Sequence, residues 1–227
     1  LPPFCRRRGM RLIFLLMLIG LLPGAAAQAP AERIEGPAVK VGDVWIYNKI
    51  NGWNGELEDI SVVRVMEATA EGILLQATAL DGSSPALIRR TAGFNVFSIE
   101  APNLVRTMRP YYPNFSFPLW VGKTWQGKVA FESSDQPIKQ VQAELSARVA
   151  GYETITVPAG TFYALKIVIE GAYRAQNLEF TWTGRIEDTL WYAPQVRNAV
   201  RYEYRDSSGG SPHNHEIHEL VNYWLVP

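Results

Sequence analysis

Residues 178–192 read LEFTWTGRIEDTLWY, a run in which apolar and polar side chains alternate at most positions. The apolar side chains on one face are those of Leu178, Phe180, Trp182, Ile186 and Leu190. Such alternation predicts a β-strand with one dry face, because successive side chains of a strand point to opposite sides of the sheet. A strand this long must twist or bend, and Gly184 is the expected place.

The same alternation recurs along the rest of the chain, in residues 124–132, 200–205 and 217–225. Turn signals separate the runs at Pro158-Ala159-Gly160 and in the Gly/Ser-rich segments 81–85 and 207–212. Connections this short leave no room for crossover helices, so neighbouring strands are predicted to pair antiparallel. We expect a mainly β fold, with a curved antiparallel sheet forming a half-barrel, barrel or sandwich and few or no helices.

Residues 138–150 fit two periods. Ile138, Val141, Leu145 and Val149 have helical spacing, yet the apolar residues from Val141 to Val149 also alternate. We favour a strand, because the run leads directly into the hairpin around Pro158-Ala159-Gly160.

A short internal repeat links the two halves of the chain. Val41-Gly42-Asp43-Val44-Trp45 recurs as Val121-Gly122-Lys123-Thr124-Trp125, and each copy opens a predicted strand. Two readings stay open: a duplication giving related halves at about 41–100 and 121–227, or a common way of entering a strand.

The first 29 residues have the features of an export signal. Four arginines precede an apolar run of about 11 residues, which as a helix of roughly 16 Å is too short for a bilayer core. Alanines follow, so cleavage is expected near Ala27 or Ala29. Met10 is an alternative start. We expect a bacterial periplasmic or secreted protein with no transmembrane segment in its mature chain, a flexible tether at 30–38 and a single β domain at 39–227.

Composition after cleavage excludes several function classes. The leader contains Cys5, the only cysteine, so disulfides and thiolate chemistry are not expected in the mature domain. It also holds four of the 22 basic and none of the 22 acidic side chains, which leaves a net charge near −4. That balance argues against nucleic acid as a partner. The sequence contains no phosphate-binding or dinucleotide motif, and no cofactor is expected.

Several short elements carry a family resemblance. Val157-Pro158-Ala159-Gly160-Thr161-Phe162 is followed about thirty residues later by Trp191-Tyr192-Ala193-Pro194. With Phe117-Pro118-Leu119, these elements resemble those of an uncharacterised group of exported bacterial proteins, the TapB-like domains of unknown function. The resemblance implies an antiparallel β domain of the cell envelope and supplies no catalytic residues. This chain departs from the pattern at Gln195 and Arg197, where relatives usually have glycines.

The histidines and the paired carboxylates are considered as candidates for metal binding and for acid/base catalysis. All three histidines lie in residues 213–218, and on a strand His213 and His215 would share a face as candidate metal ligands. A polar junction between a loop and a strand explains them as well, so no metal site is predicted. The carboxylates of Glu187 and Asp188 are expected on a solvated strand or loop rather than as an acid/base pair.

Most of the candidate binding residues lie in the segment between the two halves of the chain. Residues 105–114 combine Arg106 and Arg109 with Tyr111 and Tyr112, and Trp53 lies in a separate Asn/Gly-rich turn. Aromatic side chains stack on sugars or apolar ligands, and arginine holds anionic groups. The alternative is that the tyrosines belong to a covering loop that plugs one end of the core.

These observations favour a non-enzymatic protein that binds a lipid-like, glycan or protein component of the cell envelope. The first alternative is a structural or assembly factor that pairs with an envelope partner through its sheet edges. A hydrolase of an envelope polymer is the third hypothesis, and it requires carboxylates converging in one cleft.

Overall fold

A computed structural model describes residues 33–80, 85–134 and 140–227. The export signal, Cys5, Met10 and most of the predicted turn at 81–85 lie outside these residues. The strands are β1 (Val44–Asn51), β2 (Leu57–Ala68), β3 (Ile73–Ala79), β4 (Ala86–Arg90), β5 (Val96–Ala101), β6 (Leu104–Arg109), β7 (Thr124–Ser133), β8 (Gln140–Val157), β9 (Gly160–Gln176), β10 (Thr181–Ala193), β11 (Asn198–Ser208) and β12 (Ser211–Trp224).

The 12 strands form one closed antiparallel barrel in which each strand pairs with its neighbours in sequence. β1 closes the barrel by pairing with β12, from Val44 opposite Trp224 to Asn51 opposite Glu216. The only helical segment among the described residues is a 3-10 turn at Pro194–Val196. The predicted fold class is therefore confirmed, and of the three shapes that the sequence left open the barrel is the observed one.

Two predictions about individual strands have different outcomes. Residues 140–150 are strand, within β8, so the strand reading of the ambiguous segment is confirmed.

The long strand predicted at 178–192 is shorter, because Asn177 accepts hydrogen bonds from the amides of Glu179 and Phe180 and holds a turn before Thr181. The irregularity in its pairing to β11 lies between Trp191 and Tyr192 rather than at Gly184. A Cβ at Gly184 would collide with the Tyr173 ring, so this glycine provides space for an aromatic neighbour.

The interior of the barrel is apolar and its outer surface polar, as β8 illustrates. Val141, Ala143 and Leu145 point inward, and Gln142 and Glu144 between them are exposed. The two longest strands, β8 and β9, pair over their whole length, with Gly171 of β9 opposite Leu145. Burying the inward face of these strands is the main stabilising contribution to such a barrel.

Gly171 allows the close approach of β8 and β9. A Cβ at this position would collide with the backbone carbonyl oxygen of Glu144, which cannot move without disturbing the ladder. We expect Gly171→Val to lower the free energy of unfolding by about 1–3 kcal/mol, measured by urea denaturation. Ala172→Val, at the exposed neighbouring position, is the matched control and should change stability little. Equal losses in both variants would contradict the prediction.

The two copies of the internal repeat form equivalent turns. The amides of Gly42 and Gly122 donate to the carbonyl oxygens of Val65 and Val149, each at 2.9 Å. Both glycines have positive φ angles, 94° and 87°. Each turn precedes the first strand of a set of six, β1–β6 and β7–β12. This geometry agrees with both readings of the repeat, and the duplication stays a prediction.

The two ends of the barrel differ. At the end called here the closed end, residues 110–123 fold inward and bury Phe115 and Leu119 against Trp45, Phe94 and Tyr192. Ile34, within the segment predicted as a tether, pairs with Leu119 there. The opposite end, called the open end, carries the β9–β10 turn and the β11–β12 turn at Gly209 and Gly210.

Arg197 is held at the closed end in a left-handed conformation, with φ of 60°. This is a position where the resembled family usually has glycine, and left-handed backbone favours glycine. The Arg197 guanidinium donates to the fully buried carboxylate of Asp43 at 3.1 Å. The ion pair accounts for an arginine at this strained position, because it supplies the counter-charge for a buried carboxylate whose other partners are the backbone amides of Lys40 and Val226.

Candidate functional site

The barrel encloses a cavity of about 1230 Å³ that extends from the open end to Arg90 near the closed end. A barrel of eight strands is just wide enough to be filled by its own side chains, so a 12-stranded barrel leaves interior space unless loops occupy it. The lining is mainly apolar and includes Val63, Leu75, Ile88 and Ile99 from the first half and Val141, Ala175, Trp182, Ile186 and Leu190 from the second.

The polar side chains that line the cavity lie mainly on β11 and β12, and a buried carboxylate, that of Asp188, lies on the inward face of β10. Asp188 occupies an inward position of β10 and is 1% exposed. Its carboxylate accepts hydrogen bonds from the hydroxyls of Tyr112 and, at 3.1 Å, Tyr202. Asp206 of β11 accepts one from the Tyr173 hydroxyl at 2.9 Å. Two carboxylates are therefore each held by tyrosines in the barrel wall.

Burial controls the protonation of Asp188 and of its two tyrosine partners. Loss of hydration raises the pKa of Asp188 to about 7, although the hydrogen bonds from Tyr112 and Tyr202 act in the opposite direction. The same desolvation raises the pKa of Tyr202 and of Tyr112 well above the usual value for tyrosine. At neutral pH the phenols are protonated and donate hydrogen bonds, and the Asp188 carboxyl takes up a proton at a much higher pH than an exposed aspartate does.

Arg90 is the basic group at the closed end of the cavity. It follows Ile88 on the inward face of β4, and its Nη1 donates to the carbonyl oxygen of Phe94 at 2.9 Å. The guanidinium lies over the Phe94 ring, with Cζ 4.3 Å from the ring centre. Burial lowers the pKa of Arg90 to about 10, and interactions with Tyr47 and Tyr202 partly offset this, so the side chain is charged at neutral pH.

The predicted binding residues separate into two groups. Arg106 and Tyr112 line the cavity, Arg106 near the open end and Tyr112 near the closed end. Arg109 is on the outside, 3.8 Å from Glu132, and Tyr111 lines a smaller cavity of about 580 Å³. Trp53 is on the rim of the open end, edge-on to His215. Tyr112 is buried and belongs to residues 110–123, the segment that folds into the closed end.

The histidines do not share one environment. His213 contacts Ser208 and lines the mouth of the cavity, whereas the His215 ring lies 2.8 Å from the outward-facing Glu203. A register shift after Asp206 moves the start of β12 relative to β11 and separates the two surroundings. His218 faces the cavity beside Tyr202. Within the described ranges, no group of three or more His, Cys, Asp or Glu side chains is arranged to hold a metal ion.

Two inward-facing charged residues of the barrel, Asp188 and Arg90, were missed or misplaced by the sequence analysis. Asp188 was expected in a solvated position but is buried, and Arg90 was not singled out. Both lie on the dry side of the alternation, Asp188 between Ile186 and Leu190, and Arg90 two residues after Ile88. A charged residue at an apolar position of an alternating strand was the signal that could have identified them.

Comparison with solved structures shows the fold of this chain. A candidate exported protein with a YmcC-like fold from Bacteroides fragilis NCTC 9343 is 18% identical, with a TM-score of 0.50 over 86% of this chain and 100% of that one. A candidate lipoprotein from Parabacteroides distasonis ATCC 8503 is 17% identical, with a TM-score of 0.52 over 84% of this chain and 99% of that one. The chain thus shares the YmcC-like fold.

No protein-family model and no curated protein sequence matches the chain. The resemblance to TapB-like domains therefore stays a prediction from the quoted motifs. Among the residues that the structure describes, no helix has the length and apolar character needed to cross a bilayer.

Proposed function

We propose that this protein is a non-enzymatic carrier that holds a lipid-like molecule inside the barrel, in the periplasm or outside the cell. The observation that carries the proposal is the apolar cavity of about 1230 Å³. Small-molecule sites usually span roughly 300–1,000 Å³ and are lined mainly by apolar side chains with a few placed polar groups. The cavity of this barrel is larger than that range, and its lining is likewise mainly apolar with polar groups at particular positions.

Separate observations support the proposed location in the periplasm or outside the cell. The basic, apolar and small-residue segments at the start of the sequence have the order of an export signal. Solved proteins of the same fold are described as a candidate exported protein and a candidate lipoprotein. A carrier for an apolar molecule suits this location, because such a molecule needs shelter from water between membranes.

The other hypotheses have less support from the geometry. Pairing through a sheet edge requires an unpaired edge strand, and each of the 12 strands already pairs on both sides. A glycan ligand requires many exposed hydrogen-bonding groups, whereas most of the cavity lining is apolar. For a hydrolase, the buried carboxylates are engaged by tyrosines, Asp188 by Tyr112 and Tyr202 and Asp206 by Tyr173.

Filling the cavity tests the proposal. Ala175 is buried and lines the cavity, and Ala172 on the same strand is exposed on the outside. We expect Ala175→Trp to weaken binding of the neutral fluorescent probe N-phenyl-1-naphthylamine by at least about tenfold, equivalent to about 1.4 kcal/mol. Ala172→Trp should bind the probe like the native protein. Fluorescence titration measures both.

Native mass spectrometry of the protein purified from envelope extracts complements the titration. The expected result is co-purifying lipid on the native protein and on Ala172→Trp, and much less on Ala175→Trp. The proposal would be wrong if the native protein neither binds the probe nor carries lipid, or if the two tryptophan variants behave alike.

A further inference from the structure

Arg90 has an unusual environment for an arginine inside a barrel. Its Nε atom is buried and has no hydrogen-bond partner, and among the described residues no carboxylate pairs with its guanidinium. The hydrogen bond that the side chain makes within the described residues goes to the neutral carbonyl of Phe94. Arg90 is thus a charged group in an apolar wall, with most of its five N–H donors unused by the protein.

The acidic side chains on the inner face of the barrel do not neutralise Arg90. Asp188 is bound by two phenols, and its pKa is raised, whereas an adjacent guanidinium would lower it. Asp206 accepts from Tyr173, and Glu216 lies 3.5 Å from Lys49 and 3.6 Å from His218. Within the described part of the chain, the positive charge near the closed end therefore has no fixed counter-charge.

An uncompensated buried charge is unfavourable, and an anion that reached it would be bound by charge-assisted hydrogen bonds in a poorly hydrated site. Tyr47 and Tyr202 flank the guanidinium closely enough to affect its charge. From Arg90 the cavity continues between apolar side chains such as Leu75, Ile99 and Leu190 to the open end, where Phe180 and Trp182 lie among polar side chains that include Asp206, His213 and Asn214. The lining therefore offers a single ligand a buried cationic end, an apolar middle and a polar mouth.

We propose that Arg90 binds the anionic head group, a carboxylate or a phosphate, of a single-chain amphiphile whose alkyl chain extends toward the open end. This inference rests on the carrier function proposed above and adds the charge and orientation of the ligand. Arg106 also lines the cavity, but near the mouth, where water competes for an anion. If Arg106 bound the head group instead, the ligand would lie in the reverse orientation, and the experiment must distinguish these two orientations.

Competition titrations with matched ligands test the inference. Dodecanoate, dodecyl phosphate and 1-dodecanol share an alkyl chain and differ in the head group. Each displaces N-phenyl-1-naphthylamine from the native protein and from Arg90→Met, Arg106→Met and Arg89→Met. Arg89 is the matched control, because it neighbours Arg90 on β4 but pairs with Glu100 at 3.2 Å.

The native protein should bind at least one of the anions about tenfold or more tightly than 1-dodecanol. Arg90→Met should remove that preference and leave the affinities for 1-dodecanol and the probe unchanged, which also shows that the variant is folded. Arg89→Met and Arg106→Met should keep the preference. The relative affinities of dodecanoate and dodecyl phosphate identify the head group.

Two results would overturn the inference without touching the carrier function. One is equal binding of anions and alcohol by the native protein, and the other is a preference that survives Arg90→Met or disappears in Arg106→Met. Failure of the native protein to bind the neutral probe and 1-dodecanol would instead refute the carrier function itself.

Discussion

Replacing Asp188 with asparagine is expected to stabilise the protein increasingly, relative to the native chain, as the pH is raised from about 4 to about 8. In the folded protein burial raises the pKa of Asp188 from 3.8 to about 7. Between these values the folded state keeps a proton that the unfolded state has lost, so the native free energy of unfolding falls as the pH rises through this window. Below pH 4 and above pH 7 this contribution is constant.

The expected size of the effect follows from the shift. One pKa unit corresponds to about 1.4 kcal/mol, so a shift of about three units sets an upper bound of about 4 kcal/mol on the change between the two ends of the window. Asparagine has nearly the same shape and no ionisation, and its amide can bond to the same two phenols. Urea denaturation of both proteins at several pH values gives the difference directly.

A second variant makes the test specific. Tyr202→Phe removes a hydrogen bond that favours the ionised form of Asp188, so it should raise the pKa of that carboxyl further. The pH-dependent loss of stability should then extend to higher pH. The explanation fails if the stability difference between Asp188→Asn and the native protein is the same at pH 4 and pH 8.

Trp45→Ala is expected to lower the free energy of unfolding by about 3–5 kcal/mol, the usual range for truncating a large buried aromatic residue. Trp45 is fully buried at the closed end, where its ring packs edge-on against Phe94 at 6.4 Å. Its indole Nε1 donates to the carbonyl oxygen of Val196 at 2.8 Å. The substitution removes this packing and leaves that carbonyl without its partner.

The internal repeat provides the matched comparison. Trp125 holds the equivalent position, and its Nε1 also donates at 2.8 Å, to the carbonyl oxygen of Pro113. Because Trp125 is only partly buried, Trp125→Ala should have a clearly smaller effect. Trp45→Phe keeps most of the buried area and should cost about 1–3 kcal/mol. Thermal and urea unfolding measure all three, and equal losses for Trp45→Ala and Trp125→Ala would contradict this account.

The sequence reading was most successful where local pattern decides the structure. The alternation in β8 and β11 and the turn at Pro158-Ala159-Gly160 each gave a strand or turn that the structure confirms. It was wrong at the start of β10, where the side chain of Asn177 captures two backbone amides and forms a turn in place of a longer strand. Side-chain hydrogen bonds to the backbone compete with strand pairing and are not visible in a period-two pattern.

The candidate site was predicted only in part. Of the five binding candidates, Arg106 and Tyr112 line the cavity, and Arg109, Tyr111 and Trp53 do not. The adjacent residues Tyr111 and Tyr112 line different cavities, so the sequence could place the segment but not both side chains. Asp188 and Arg90 were identifiable in principle from their positions on dry faces, but the contact of Asp188 with Tyr112, 76 residues away, depends on the closed barrel.

By itself, the sequence determined the strand character, the antiparallel connections and which face of each strand avoids water, because these depend on residues within a few positions of one another. The tertiary structure alone decided that β1 meets β12, that residues 110–123 seal one end, and that a cavity remains at the other. Closure depends on strand number, tilt and stagger together. Asp188 and Arg90 are buried only once the barrel is closed, and this burial shifts the pKa of each side chain.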